Sequence, residues 1–335
     1  MALRLGVAAL IGLTAASAVV GAIASGARTP AAGLTTTTGT RAGTVPDGTI
    51  GETGSSLLYP LVHAWSAGYH QQFPGQTVTT QSTSSGVGIA AAAAGKTDIG
   101  ASDAYLSSGD LVKNPDLLNI PLAVSAQAVI YNVPDLSPGT HLKLNGPVLA
   151  GIFNGTITMW NDPAISALNP GVSLPAIRTV PLHRSDSSGD TFLFTSYLSM
   201  TDPQWNDTIG YGTTADWPKV AGAAQQKGNA AMVSYCQSTP GCVGYAGISY
   251  LSQALRGGLE DAMLANGADR PTLPTASAIE SSIGSFTSIT PPNETISMID
   301  GPSLDGYPLV NYEYAIVSTR PTDARRASEI RAFLN

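Results

Sequence analysis

Three stretches of this chain place glycine and small hydroxyl residues where an apolar run gives way to a helix. They are Gly54-Ser55-Ser56-Leu57, Ser84-Ser85-Gly86-Val87-Gly88 and Asp186-Ser187-Ser188-Gly189-Asp190. Short apolar runs that alternate with helical periodicity in this way specify an α/β fold. A helix start also carries unpaired backbone N–H groups and a partial positive charge, so it seats anions. Any one such start is explained by capping, because serine is a favoured N-cap. Three of them, with an arginine and an aspartate close by, predict loops that converge on a single oxyanion.

At 335 residues the chain is long enough for two lobes, because single cores stop growing at about 250–300 residues. A net charge of −7 argues against nucleic acid or an anionic membrane as partner. The five lysines (Lys96, Lys113, Lys143, Lys219 and Lys227) form no basic run. A local dipole pocket can still hold an anion against this global field. Arg4 precedes an apolar stretch from Leu5 to Ala24, and Ala22-Ile23-Ala24 matches a small-residue cleavage site. Residues 1–27 therefore read as a signal peptide or a retained N-terminal anchor, and residues 28–47 as a flexible Thr/Gly/Pro linker. Either way the folded part is extracytoplasmic. Cys236 and Cys242, the only two cysteines, read as a disulfide that closes a hairpin turn between strand-like segments. Their spacing is not Cys-x-x-Cys and no histidine is near, which disfavours a redox or metal pair.

Along the chain, Leu57, Leu61, Trp65 and Tyr69 repeat every four residues and predict a helix with one core-facing stripe. Residues 78–81 predict a strand, and Ser85 opens a second helix through the alanines at 90–94. Residues 98–103 predict a strand running out into a loop, which puts Asp103 at a strand's carboxyl end, where ligands of open α/β sheets gather. A long apolar strand is expected over 120–132, a further one over Val180–Arg184, and a surface helix and loop over 213–229. Tyr307–Ser318 predicts a strand and Asp323–Leu334 a terminal helix.

Arg184 is the foremost candidate for chemistry. Its guanidinium can fork two oxygens of a tetrahedral anion and stays charged at any working pH; the plain alternative is a surface ion pair. Asp103 is the more informative partner. A carboxylate facing an anion repels it unless the anion has a proton to donate, so hydrogen phosphate fits such a site and sulfate does not. The competing reading of Asp103 is a turn or cap residue. Ser56, Ser85 and Ser188 can each give a hydroxyl and the N–H groups behind it, or simply cap. An enzyme would need a nucleophile, a base and an orienting group. The chain has no Gly-x-Ser-x-Gly elbow, Walker A loop or His-Glu-x-x-His. A hydrolase assembled from Ser188, His183 and Asp186 suffers because His183 and Arg184, adjacent in a strand, point to opposite faces.

These motifs resemble the periplasmic phosphate-binding proteins of Pst-type ABC transporters. The resemblance rests on Gly54-Ser55-Ser56, on Ser84-Ser85-Gly86 followed by residues 98–103, and above all on the block from Arg184 to Leu198, Arg-Ser-Asp-Ser-Ser-Gly-Asp-Thr-Phe-Leu-Phe-Thr-Ser-Tyr-Leu. Gly151-Ile-Phe-Asn-Gly and Trp160-Asn-Asp-Pro follow the family order, and the similarity runs from Thr49 to the end. It implies a two-lobed class II periplasmic-binding-protein fold, each lobe a sheet flanked by helices, with ligand in the cleft between them. Lobe I would comprise residues 48–127 plus 305–335, and lobe II residues 128–304. The implied phosphate contacts are Ser56, the Leu57 N–H, Ser85 and Asp103 from lobe I, and Arg184, Ser188, Gly189 and Asp190 from lobe II.

By the same resemblance the chain is a monomer that needs no cofactor or metal, binds inorganic phosphate and hands it to the transmembrane permease subunits of an ABC importer. A surface-tethered phosphate scavenger or sensor is the alternative, and a phosphate-ester hydrolase a distant third. The sequence departs from the family pattern in four places. Asp190 stands where threonine is common, Leu57 where phenylalanine is common, and Glu52 where a small residue is usual. The chain also ends several dozen residues early, which reads as a truncated or fragmentary lobe I in preference to a smaller lobe with exposed apolar surface.

Overall fold

The computed structural model describes residues 48–321 and 323–335, so the expected signal or anchor and the linker lie outside the described residues. The chain opens with β1 (Gly48–Gly54), α1 (Tyr59–Gln72), β2 (Gln76–Thr79), α2 (Ser85–Ala93), β3 (Ile99–Ser102) and α3 (Ser108–Lys113). The long strand β4 (Leu117–Tyr131) then leads to β5 (Lys143–Leu144), α4 (Gly146–Asn154), α5 (Pro163–Leu168) and β6 (Val180–Arg184). Next come α6 (Gly189–Thr201), α7 (Pro203–Thr208), β7 (Ala224–Gln226), α8 (Gly228–Gln237), β8 (Cys242–Gly247) and α9 (Leu251–Arg256). The last elements are β9 (Glu260–Asp261), β10 (Met263–Ala265), β11 (Pro271–Thr272), α10 (Ala276–Gly284), β12 (Val310–Ser318) and α11 (Ala324–Leu334). No helix among the described residues is long and apolar enough to cross a membrane.

One nine-stranded sheet carries the fold, in the order β2-β1-β3-β12-β4-β8-β6-β7, with β9 also on β4. Helices cover both faces, as in class II periplasmic binding proteins. The strand β4 is shared between two halves. From Leu117 to Ala126 it pairs antiparallel with β12, and from Gln127 to Tyr131 with β8. Residues 123–131 of β4 are all buried, as expected of a strand covered on both faces. Parallel pairs β1–β3 and β6–β8 point their carboxyl ends at the middle of the molecule, so the loops after them meet there.

Packing follows from sequence pattern. In α6 every residue from Gly189 to Leu198 is buried, the polar Asp190, Thr191, Thr195 and Ser196 included, so the helix lies inside the fold on all sides. Its Thr195 and Ser196 hydroxyls bond back to the carbonyls of Thr191 and Phe192 at 2.7 and 2.6 Å, which satisfies both, whereas the buried Ser199 hydroxyl finds no partner. The main core joins β4, α4, α6 and β8 through Trp160, Phe153, Phe194, Tyr197 and Tyr245. The stripe expected on α1 is present but only half-buried at Leu61, Trp65 and Tyr69, and Val62 is that helix's buried residue.

Two expectations fail. Residues 213–223 form no helix; the described backbone there is turns and loop before β7, with Gly222 at a φ of 86° that only glycine tolerates easily. The disulfide Cys236–Cys242 forms, but it closes the connection from α8 to β8 and not a strand hairpin. The reason is legible in α8: Asn229, Met232, Val233 and Cys236 recur at helical spacing and form its buried face.

Candidate functional site

Arg184 ends β6 and is buried, with its whole guanidinium engaged by carboxylates. Its Nε and Nη2 donate to the two oxygens of Asp186 at 2.7 and 2.5 Å, a bidentate fork. Its Nη1 donates to Asp190 Oδ2 at 2.5 Å. Burial alone would favour the neutral base, but the Asp186 hydrogen bonds and the charges of Asp190 and Asp186 outweigh it and hold the arginine protonated. His183, its neighbour, turns the other way and stacks on Trp217 with ring centroids 4.5 Å apart. The triad of Ser188, His183 and Asp186 is therefore not assembled.

Ser188 caps α6, accepting from the Asp190 N–H at 3.1 Å. The Asp190 carboxylate gathers further donors: Asn229 Nδ2 at 2.8 Å, Gln127 Nε2 at 3.2 Å and Ser188 Oγ at 3.4 Å. Asn229 is the second residue of α8, which like α6 begins with a glycine. Its other Nδ2 hydrogen reaches Ser56 Oγ at 3.0 Å, its backbone N–H reaches the same oxygen at 3.3 Å, and its Oδ1 accepts from Gly247 N–H at 2.8 Å. One asparagine thus ties the loop after β1 to the loop after β6.

On the opposite side, Asp103 follows β3 directly. Its carboxyl accepts from Ser55 Oγ, and that serine oxygen in turn accepts from the Leu57 and Leu58 N–H groups at 3.1 Å each. The Asp103 N–H donates to Ser85 Oγ at 3.3 Å and its carbonyl accepts from Asn311 Nδ2 at 2.7 Å. Burial first, then the charge of Asp190, push the Asp103 carboxyl up to about 6, against the lowering influence of hydrogen bonds from Glu313 and Ser55 and of Arg184. Asp103 therefore stays ionised at neutral pH.

The two sides touch through glycines. The Gly86 N–H donates to the Ser187 carbonyl at 3.0 Å, and a Cβ on Gly86 would lie 2.0 Å from Ser187 Oγ. A Cβ on Gly189 would lie 2.6 Å from Asp103 Oδ2. No larger residue fits either place without displacing the neighbour.

All eight residues expected from the sequence, Ser56, Leu57, Ser85, Asp103, Arg184, Ser188, Gly189 and Asp190, are buried around this one junction. The sequence reading missed Ser55, Gln127, Asn229, Asn311 and Glu313. Gln127, Asn311 and Glu313 had a signal: each is a polar residue inside an otherwise apolar strand. Elsewhere, His141, Glu260 and Asp261 bring possible ligand atoms within 4.8 Å of one another, with His141 Nδ1 and Asp261 Oδ1 3.0 Å apart.

The profile of the PBP superfamily domain matches residues 34–335. A "Phosphate-binding protein PstS" of Xylella fastidiosa is 39% identical over 227 residues, covering 68% of this chain and 60% of that protein. The chain thus spans about three-fifths of the first curated relatives it matches. A PstS of Methanocaldococcus jannaschii is 32% identical over 308 residues, covering 85% of this chain and 77% of its own. The crystal structure of an ABC-type phosphate transport receptor from Vibrio cholerae superposes with a TM-score of 0.54 at 18% identity, covering 85% and 93% of the two chains. The chain belongs to the PBP superfamily, in the family of the PstS phosphate-binding proteins.

Proposed function

We propose that this protein captures inorganic phosphate outside the cytoplasm and delivers it to the transmembrane permease subunits of an ABC importer, as a monomer and without catalysing a reaction. The observation that carries this reading is the pairing of Asp103, a buried ionised acceptor beside the start of α2, with Arg184 and the start of α6 on the facing side. Donors alone would accept any oxyanion. A fixed carboxylate among them admits only an anion that brings a proton, because two buried negative charges without one oppose each other at a cost on the order of several kcal/mol.

Ser56, the Leu57 N–H and Ser85 would contact phosphate from one side, and Arg184, Ser188, Gly189 and Asp190 from the other. Asp190 lacks the hydroxyl of a threonine and adds a second acceptor, which favours the more protonated phosphate ion. The division into lobe I (residues 48–127 plus 305–335) and lobe II (residues 128–304) is supported by the exchange of partners along β4 between Ala126 and Gln127. Closing the lobes on the ligand brings Asp103 against Gly189, so ligand favours the closed form by contacts that only that form makes. The names of the relatives support phosphate as ligand, and that of the Vibrio cholerae receptor supports delivery to an ABC permease.

Calorimetric titration of the purified chain with phosphate, arsenate and sulfate at pH 7, repeated with Asp103→Asn, tests the proposal. Phosphate and arsenate should bind, sulfate should be silent, and the variant should lose that discrimination. A folded protein that ignores phosphate, or takes sulfate equally well, refutes it.

A further inference from the structure

Glu313 is a fully buried carboxyl that the phosphate-binding reading does not use. It lies on β12, two residues from Asn311, so both side chains leave the same face of the strand and both reach Asp103. Asn311 Nδ2 bonds the Asp103 carbonyl, and because Tyr314 pairs antiparallel with Ser102, Glu313 stands beside Asp103, with its carboxyl coupled to the Asp103 carboxyl. The strand is adapted to this. Opposite β4, the ladder slips by one residue between Glu313 and Tyr314: Glu313 faces Ala123, Tyr314 faces Pro121, and Leu122 is left over. Pro121 has no N–H to give to a ladder, and a bulge both accommodates it and re-aims the neighbouring side chains.

The donors around Glu313 determine its state. Ser125 Oγ on β4 donates to Oε1, and no N–H or hydroxyl donates to Oε2, which is nonetheless buried. What faces Glu313 instead is the Asp103 carboxyl, and two carboxyls hydrogen-bond only when one carries a proton. The other charged groups near the pair are Asp190 at the start of α6, which raises both carboxyls, and Arg184 at the end of β6, which lowers Asp103 and is already matched by Asp186 and Asp190. The surroundings therefore hold one proton on the pair. Each carboxyl receives one serine hydroxyl, but Arg184 favours only the ionised Asp103, which gives Asp103 the better claim to that state.

We propose that Glu313 is a specificity-determining positioning residue: it holds the pair's proton as a neutral acid, donates it in a hydrogen bond to Asp103, and so keeps Asp103 an aimed acceptor for a phosphate hydroxyl. Without a neutral donor at this place, Asp103 would take up a proton itself and become a donor, which an anion with no proton can use. Glu313 thus excludes sulfate through Asp103 without touching the ligand. Burial, then the Asp103 charge, raise the Glu313 carboxyl far above the ordinary range, which agrees with a neutral acid at pH 7.

This inference rests on the phosphate reading, and the experiment separates the two. The full chain and its Glu313→Gln and Glu313→Met variants are titrated calorimetrically with phosphate and with sulfate from pH 6 to 10, with circular dichroism to check folding. Glutamine can donate to Asp103 as the acid does but cannot ionise. Glu313→Gln should keep phosphate affinity within about threefold at pH 7 and should not weaken at the alkaline end, where the wild type does. Glu313→Met should lose at least tenfold of the phosphate-over-sulfate preference.

The infrared C=O band of a protonated buried carboxylic acid gives a readout that needs no ligand. It should be present in the wild type at pH 7 and diminished in Glu313→Gln. If the wild type fails to bind phosphate, the functional reading falls and the infrared result decides the proton's place alone. An alkaline limb in Glu313→Gln identical to that of a phosphate-binding wild type, or an unchanged infrared band, overturns the assignment. If Glu313→Met does not fold, the glutamine variant and the infrared band still decide.

Discussion

Replacing Glu52 by glutamine should change how the protein's stability depends on pH. Glu52 lies in β1 on the same face as the core residue Ile50, only 3% exposed. Burial pushes its carboxyl up from 4.5 to about 8, with a small opposing effect from the backbone at Gln81. Between those two values the folded protein holds a proton that the unfolded chain has released. Stability from this group is therefore complete below about pH 4.5 and declines as pH rises, levelling off above about 8. The separation corresponds to about 5 kcal/mol in all, of which about 3 kcal/mol is lost by pH 7.

Glutamine keeps the neutral state and the shape but has no proton to lose. In urea unfolding at pH 5, 6, 7, 8 and 9, the variant should therefore gain on the wild type steadily, by several kcal/mol across the range. Asp103 and Glu313 titrate in both proteins and cancel in the difference. A difference between variant and wild type that stays constant from pH 5 to 9 refutes the reasoning, because it would mean that Glu52 is ionised in the fold. The departure of Glu52 from the family's small residue thus adds no standing charge to the neighbouring loop at neutral pH.

Two further outcomes follow from the site and the disulfide. Asp190→Asn removes one of the two carboxylates on Arg184; an anion sharing that arginine within ~4 Å would be relieved of about 4 kcal/mol of repulsion at an effective dielectric near 20. Phosphate should then bind up to about a thousandfold more tightly at pH 8, with less gain at pH 6 where the ligand can donate a second proton, as titration calorimetry at both pH values would show. The Cys236→Ser/Cys242→Ser double variant should lose about 2–3 kcal/mol on the chain-entropy account of so short a loop, read as a lower urea midpoint with phosphate affinity unchanged.

Much of the site was legible because its chemistry lies at the ends of strands. Arg184 and Asp103 stand where an apolar run stops, and both emerged at the junction. Ser56 and Ser85 belong to helix starts visible as Gly/Ser clusters, though it is Ser55, not Ser56, that bonds Asp103. The strand β6 matched its expected bounds, whereas β12 begins three residues later than expected. What sequence reading passed over were polar residues whose partners are distant in the chain. Asn229 bonds Ser56 across a separation of 173 residues, and Asn311 bonds Asp103 across 208. No local pattern encodes such pairs; only the sheet order brings them together. The region 213–229 misled because its apolar residues carry no helical repeat: Trp217 packs from a loop against Phe153, His183, Trp205 and Tyr245.

The sharing of β4 has a mechanical consequence. Edge strands β2 and β7 are opposite ends of one hydrogen-bonded ribbon, and the strands that lead to Asp103 and Arg184 lie between them. A partner that grips both edges would act as a caliper: spreading the ends prises the middle, and clamping them shuts it. Release would then require no contact between the partner and the ion, only leverage, and paired spin labels on the two edges would register each load and unload as a change of span.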